Sequence, residues 1–360
     1  MTDFISDSVN LLRDMVRIPS ESFGEEQVCS LICERLSQWG IRFRRVGCNI
    51  LAFNERFDSS KPSLALDAHI DTVPAAASYT RDPLDPGDDP DVVYGLGSND
   101  DGGSVVAMIA ALRQLDAEGF PGNVVLVLSS EEERSGPDGA RLVYGPEGSE
   151  EAASVRWVIV GEPTGMKAAT SERGLLVLDG EAVGVSGHAA RNEGVNALYI
   201  ALDDIAALRS HEFIRVSPSM GKVMLNVTQI EAGTAHNVIP DSCRFVVDIR
   251  PTEQYTGEEI LSELQGLCRS RLTPRNLSNR SSATRQGSPL EKTALQMGIE
   301  TFSSPTTSNW MRTGRDSIKM GPGDSARSHR ADEYIFVKEI NEGAEKYVKF
   351  VKLFYGNTLE

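Results

Sequence analysis

The chain has 360 residues, of which 40% are hydrophobic and 24% charged, values typical of a soluble globular protein large enough for two domains. Its formal net charge of -16 argues against non-specific binding to nucleic acid or to an anionic membrane. Its five cysteines show no paired spacing, and its first residues lack the apolar run of a signal peptide. We therefore expect a cytoplasmic protein with reduced thiols and no membrane-spanning segment.

The first part of the chain alternates between helical and strand patterns. Periodic apolar spacing predicts helices, and short apolar runs predict strands buried on both faces. This alternation predicts an α/β domain with a mostly parallel sheet flanked by helices. The predicted helices cover residues 7–16, 25–39 and 102–115, the predicted strands cover residues 41–46, 50–53, 63–66, 124–129 and 156–160, and residues 82–92 form a loop.

The pattern changes near Gly174. A β-α-β-β-α order there resembles a ferredoxin-like α+β sandwich inserted into the larger domain. Its strands are predicted over residues 175–185, 223–230 and 245–249, and its helices over residues 195–208 and 258–268. The predicted domains are therefore residues 1–173 with 284–360, closed by a helix over 337–354, and the inserted residues 174–283.

Acidic and imidazole side chains follow three of the predicted strands. His69 follows the strand over 63–66, glutamates 131–133 follow the strand over 124–129, and Glu162 follows the strand over 156–160. Asp100 precedes a predicted helix in a glycine-rich turn. Because parallel strands end at the same edge of a sheet, where α/β proteins bind ligands, we expect these groups to converge.

Five side chains in this arrangement could bind metal. Two imidazoles and three carboxylates suit zinc or a similar divalent ion, with Co²⁺ or Mn²⁺ as substitutes. Five ligands exceed the needs of one tetrahedral catalytic zinc, but they match two ions that share a bridging carboxylate, for which Asp100 is the natural choice. The predicted ligands are His69, Asp100, Glu133, Glu162 and His329.

Two further acids are predicted to support this site. Asp71 is expected to accept the other N–H of His69, and Glu132 is expected to act as the general base toward water. Each candidate also has a purely structural interpretation, such as a core histidine for His69, a helix cap for Asp100, a solvated turn for Glu162 or a surface loop for His329. Without a metal site, each of these separate structural interpretations would have to be correct at the same time. The metal site is therefore favoured.

The inserted domain contributes its own candidates. His188, in GVSGHAAR, is either a turn histidine or a donor to a developing oxyanion. Arg250 either pairs with a nearby acid or clamps a substrate carboxylate, and Asn237 lies at the other end of the same strand region.

Seven segments together resemble the co-catalytic zinc aminoacylase and carboxypeptidase family, which includes acetylornithine deacetylase and succinyl-diaminopimelate desuccinylase. The resemblance covers nearly the whole chain in the family's order. It implies a zinc-peptidase-like catalytic domain and an inserted lid that also forms a homodimer. The segments are LALDAHIDTVP, YGLGSNDDGG, SSEEERSG, VGEPT, GVSGHAAR, HNVIPD and GDSARSH.

The resemblance also implies roles for residues at the matching positions. It implies that His69 and Glu162 share one zinc, that Glu133 and His329 hold the other, and that Asp100 bridges them. Glu132 would be the general base, and His188 would come from the partner subunit. The substrate carboxylate would be held by Arg250, Asn237 and Thr307.

Three departures from the family pattern concern specificity. Many members carry Arg at Leu96, a Met-Lys pair at Asp101-Gly102, and Asp at Asn309. Since Asn309 lies in a segment expected to line the pocket, we expect it to influence substrate choice.

The expected activity is removal of an acetyl or succinyl group from a small-molecule N-acyl amino acid, with N2-acyl-L-ornithine as the first candidate substrate, as in arginine biosynthesis. A dipeptidase, a carboxypeptidase or another acyl-amino-acid hydrolase is a neighbouring alternative. A catalytically inactive binding protein of the same fold is an alternative from a different class, which the intact Glu132 disfavours.

Overall fold

The computed structural model describes residues 2–191 and 193–358. The chain divides into two compact units. The first consists of Met1–Thr170, Ala283–Phe302 and Ser308–Glu360, and the second consists of Ser171–Ser282 and Ser303–Thr307. The catalytic and lid roles expected of the two parts stay predictions.

The helices and strands follow the chain in this order. The α-helices of the described residues are α1 (Thr2–Val16), α2 (Glu26–Gln38), α3 (Gly102–Ala117), α4 (Ala140–Tyr144), α5 (Glu150–Ala153), α6 (Ala197–Ser210), α7 (Gly257–Gln265), α8 (Pro289–Gln296), α9 (Trp310–Thr313) and α10 (Val337–Thr358). The β-strands are β1 (Arg42–Val46), β2 (Asn49–Phe53), β3 (Ser63–His69), β4 (Val92–Tyr94), β5 (Val124–Ser129), β6 (Val155–Val160), β7 (Ala168–Glu172), β8 (Leu176–Val183), β9 (Gly187–His188), β10 (Met224–Ala232), β11 (Val238–Ile239), β12 (Ser242–Arg250), β13 (Arg271–Pro274), β14 (Ser282–Ala283), β15 (Thr301–Ser304), β16 (Asp316–Lys319) and β17 (Tyr334–Phe336).

The first unit is built on a nine-stranded sheet in the order β1-β2-β5-β3-β6-β16-β7-β14, with β15 beside β7. The four central strands, β5, β3, β6 and β16, run parallel to their neighbours within this group. The pairs β1 with β2, β2 with β5 and β16 with β7 are antiparallel. The predicted mostly parallel α/β sheet is confirmed.

Every residue of β3 and β5 is buried, because helices cover both faces of the sheet. Leu64 and Leu66 pack on one face in the core that includes α1, α3 and α10. Ala65, between them, packs on the other face with residues of α4 and α9. Successive side chains of a strand point to opposite faces, so a strand covered on both sides is apolar throughout. The sequence of β5 is therefore apolar without interruption from Val124 to Leu128.

The second unit contains an antiparallel sheet in the order β10-β12-β8-β13. Apolar residues of α6 and α7 pack in one core with those of the sheet. The chain order β8-α6-β10-β12-α7-β13 is the ferredoxin-like arrangement, so the predicted inserted α+β sandwich is confirmed. The sequence pattern had not included the last strand, β13.

None of the helices in the described part of the chain combines the length and the apolar character needed to cross a membrane.

Candidate metal centre

Three neighbouring parallel strands of the first unit deliver candidate ligands to one edge of the sheet. Strand β3 ends at His69, which lies opposite Ser129, the last residue of β5. Glu132 and Glu133 follow β5, and Glu162 follows β6. Parallel pairing therefore brings together residues that are far apart in the sequence.

Asp100 lies between two imidazoles. Its Oδ1 is 3.3 Å from Nε2 of His69, and its Oδ2 is 3.7 Å from Nε2 of His329. The same His329 nitrogen is 2.9 Å from Oε1 of Glu133. Each oxygen of the Asp100 carboxylate thus faces a different imidazole, which is the disposition that a carboxylate bridging two ions requires.

Two groups of potential ligand atoms overlap at His69. In each group the atoms lie within 4.8 Å of one another: His69 with Asp100 and Glu133, and His69 with Glu132 and Glu162. The structure therefore gathers all the predicted acidic ligands around one imidazole. It also places Glu132 close enough to serve as a ligand, so its assignment as the general base stays a prediction.

Both the backbone and the side chain of Asp71 lie beside Nδ1 of His69. The acceptor nearest to Nδ1 of His69 is the backbone carbonyl oxygen of Asp71, at 2.9 Å, whereas the Asp71 carboxylate is 3.4 Å away. Because a carbonyl can only accept, Nδ1 carries the hydrogen and Nε2 is available to a metal. The carboxylate of Asp71 accepts the backbone N–H groups of Glu132, at 3.0 Å, and Glu133, at 3.1 Å.

Burial and mutual repulsion perturb the acids of the site. Burial raises the pKa of Glu132 to about 7, against the opposing charges of His69 and Arg312. Burial and the nearby Asp100 charge raise the pKa of Glu162 well above its usual range. A bound cation would relieve both effects, and the nitrogen and oxygen donors suit zinc or a similar divalent ion. The residues present fit such ions.

The turn that carries Asp100 is held by an acid that sequence reasoning missed. The buried carboxylate of Glu333 accepts the backbone N–H groups of Gly97, Asn99 and Asp100 at 2.9–3.1 Å. Burial raises the pKa of Glu333 to about 8, and the Asp100 charge adds to this effect. Only its position four residues after His329 could have drawn attention to it.

Arg312 was also missed, because nothing in NWMRTG indicates a partner. Its Nη1 donates to Oε1 of Glu132 at 3.2 Å, and only 3% of its side chain is exposed. Asn309 had been expected to line the substrate pocket. It is buried, donating to Oγ of Ser129 at 2.7 Å and accepting from Arg312 at 3.1 Å, and its influence on substrate choice stays a prediction.

Two predicted residues of the second unit lie at the pairing of β9 with β11. His188, in β9, is opposite Val238 of β11, and the preceding Asn237 accepts the backbone N–H of Ala189 at 3.0 Å. Both side chains belong to exposed residues. Nδ1 of His188 accepts the N–H of Ala190 at 3.1 Å, which leaves Nε2 as the nitrogen available to a substrate.

The other two predicted substrate ligands already have protein partners. Arg250 binds Asp248 through Nε at 2.8 Å and Nη2 at 3.0 Å, which is the structural alternative considered for this residue. Oγ1 of Thr307 donates to the carbonyl of Arg173 at 3.1 Å. Their proposed contacts with substrate stay predictions.

Comparison with known proteins decides the family, since residues 65–353 match the peptidase family M20/M25/M40. The chain belongs to this family. The resemblance drawn from the seven segments is therefore confirmed, and the M20 chain is a metal-dependent hydrolase that acts on amide bonds.

Individual relatives match along almost the whole M20 chain. Succinyl-diaminopimelate desuccinylase from Xylella fastidiosa (strain M23) is 28% identical over 377 residues, covering 95% of this chain and 97% of the relative. An M20 metallo-carboxypeptidase from Sulfolobus solfataricus has a similar fold, with a TM-score of 0.77 at 16% identity over 96% of this chain and 99% of that one. A dinuclear metal-binding M20 peptidase from Bacillus subtilis gives a TM-score of 0.69 at 15% identity, covering 97% of this chain and 98% of that one.

Proposed function

We propose that the protein removes an acetyl or succinyl group from an N-acyl amino acid at a site that holds two zinc ions. The observation that carries the proposal is the Asp100 carboxylate, whose oxygens face His69 and His329 separately. Glu162 and Glu133 would complete the two coordination shells, and Co²⁺ or Mn²⁺ could replace zinc. N2-acyl-L-ornithine is the first candidate substrate, and N-succinyl-diaminopimelate is supported by the name of the bacterial relative.

The metal pair supplies Lewis acidity toward the amide carbonyl and the attacking water. The Glu132 carboxylate takes a proton from this water as the water oxygen bonds to the carbonyl carbon. The carbon–nitrogen bond then breaks, and Glu132 passes the proton to the leaving nitrogen, which gives an amine and a carboxylic acid. The acid then loses its proton to the amine or to solvent and becomes a carboxylate. The backbone contacts of Asp71 hold Glu132 in place for both transfers.

Residues of the second unit would bind the substrate. His188, donated by the partner subunit of a homodimer, would hydrogen-bond the developing oxyanion through Nε2. Arg250, Asn237 and Thr307 would hold the substrate carboxylate.

A substrate panel tests this proposal. N-acetyl and N-succinyl derivatives of ornithine, citrulline, lysine and diaminopimelate, together with dipeptides, are assayed with the metal-loaded protein and with Glu132→Gln. We expect hydrolysis of at least one acyl-amino acid and its loss in Glu132→Gln with the metal retained. Cleavage of dipeptides alone would support a dipeptidase. A folded, metal-loaded wild type as inactive as Glu132→Gln would support a binding protein.

A further inference from the structure

A buried arginine contacts the carboxylate proposed as the general base. Arg312 lies in the short helix α9, and its Nη1 is 3.2 Å from Oε1 of Glu132. With 3% of its side chain exposed, Arg312 is not accessible to a substrate. A guanidinium has N–H donors and no acceptor, so Arg312 faces the Glu132 carboxylate as a hydrogen-bond donor.

The guanidinium is itself fixed from several sides. Nη1 also donates to the carbonyl of Ser308 at 3.3 Å and to Oδ1 of Asn309 at 3.1 Å, and Nη2 donates to Oγ of Ser135 at 2.5 Å. Ser135 closes the turn that carries Glu132, since its N–H donates to the Glu132 carbonyl at 2.9 Å. Arg312 therefore binds both the side chain of Glu132 and the turn that presents it.

Asn309 links this arrangement to the central sheet. Its amide nitrogen donates to Oγ of Ser129, at the end of β5, while its amide oxygen accepts from Arg312. A carboxylate at this position could accept from Arg312 but could not donate to Ser129 as an amide does. The Asn that replaces the family's frequent Asp thus connects a rigid strand to the guanidinium.

We propose that Arg312 is a positioning residue for the hydrolysis. It holds Oε1 of Glu132, so that Oε2 is the oxygen that takes the proton from the attacking water and returns it to the leaving nitrogen. This inference rests on the proposed role of Glu132 as general base. Correct orientation of a catalytic group contributes strongly to rate, and a misplacement of about 1 Å can lower it about 100-fold.

The test compares Arg312→Met and Arg312→Lys with Arg315→Met as a matched control. Arg315 lies three residues away and donates to the carbonyl of Val155 at 2.9 Å instead of to the site. We expect Arg312→Met to lower kcat about 100-fold, with KM and metal content unchanged, Arg312→Lys to recover part of the loss, and Arg315→Met to match the wild type. An increase in KM alone, a loss of metal, or equal kcat values for Arg312→Met and the control would overturn the proposal.

Crystal structures separate failure of this inference from failure of the proposed function. If the metal-loaded wild type hydrolyses nothing in the panel, the proposed function fails, and the position of Glu132 still reports on Arg312. We expect the Glu132 carboxylate to keep one conformation in the wild type and to move in Arg312→Met. An unmoved carboxylate in the variant would contradict the role of Arg312.

Discussion

Asp71 joins the strand that presents His69 to the turn that presents two glutamates. Its carboxylate oxygens accept the N–H groups of Glu132 and Glu133 and the hydroxyl of Ser22. Asp71 is buried, so each of these groups depends on it for a hydrogen-bond partner. Its function in the structure is broader than orienting one imidazole.

We predict that Asp71→Asn lowers the free energy of unfolding by about 1–3 kcal/mol, because an amide NH₂ would face a backbone N–H that has lost its acceptor. Urea unfolding of the metal-free protein measures the change. The control is Asp88→Asn, an exposed acid in the loop before β4. Equal stabilities of the two variants would contradict this account of Asp71.

The residues of the site differ in how far the sequence could reveal them. His69 and Glu162 stand directly after apolar strands, so their convergence follows from parallel pairing. Arg312 and Glu333 act through contacts with residues 180 and 233 positions away. Such contacts exist only once the sheet has formed, and the residues around Arg312 carry no local pattern that implies them.

At the scale of elements, the turn before α3 depends on Glu333. One oxygen of this carboxylate accepts two backbone N–H groups, from Asn99 and Asp100, and the other accepts that of Gly97. The acid thereby ties the segment that follows His329 to the turn that presents Asp100. The hydrogen bonds of Glu333 thus connect the two segments that carry the potential metal ligands Asp100 and His329.

We predict that Glu333→Gln weakens zinc binding about 10-fold, because the amide cannot accept all three N–H groups and the Asp100 turn loosens. Titration against a competing chelator measures the affinity. Glu339→Gln serves as the control, since Glu339, which lies in α10, pairs with Arg327 and not with the turn. Unchanged zinc affinity in Glu333→Gln would show that the turn holds its shape without this acid.

Elements were predictable in proportion to their length and apolar continuity. Strand β5 is apolar from Val124 to Leu128 and β3 from Leu64 to Leu66, whereas β16 has four residues and begins and ends with the buried charged residues Asp316 and Lys319. These charged residues are buried because β16 lies between β6 and β7. The four residues of β16 alone do not indicate that position. Helix α8 did carry a start signal, Ser288 as N-cap followed by Pro289, although no helix was predicted there.

At the scale of the molecule, the apolar core of the second unit is formed by its own sheet and helices. The strand order of the second unit differs from that of the first. The change in sequence pattern near Gly174 predicted this separate unit. His188 is exposed on this unit, and the proposed function places it at the metal centre of a partner subunit in a homodimer.

We predict that mixing His188→Ala with Glu132→Gln restores activity that neither variant has alone. In a mixed dimer, the intact Glu132 of one subunit meets the intact His188 of the other, and random assortment gives about a quarter of the wild-type sites. Subunits carrying different tags allow the mixed dimers to be isolated before assay. Inactive mixed dimers with full metal content would exclude a histidine shared between subunits.

The most direct test of the account is the metal content of the protein, measured by elemental analysis and by anomalous scattering from crystals grown with zinc. The account predicts two ions per chain, both bound to Asp100, one also bound to His69 and Glu162 and the other to Glu133 and His329. A zinc-replete protein with no ion at Asp100, or with a single ion that leaves either imidazole unbound, would contradict it.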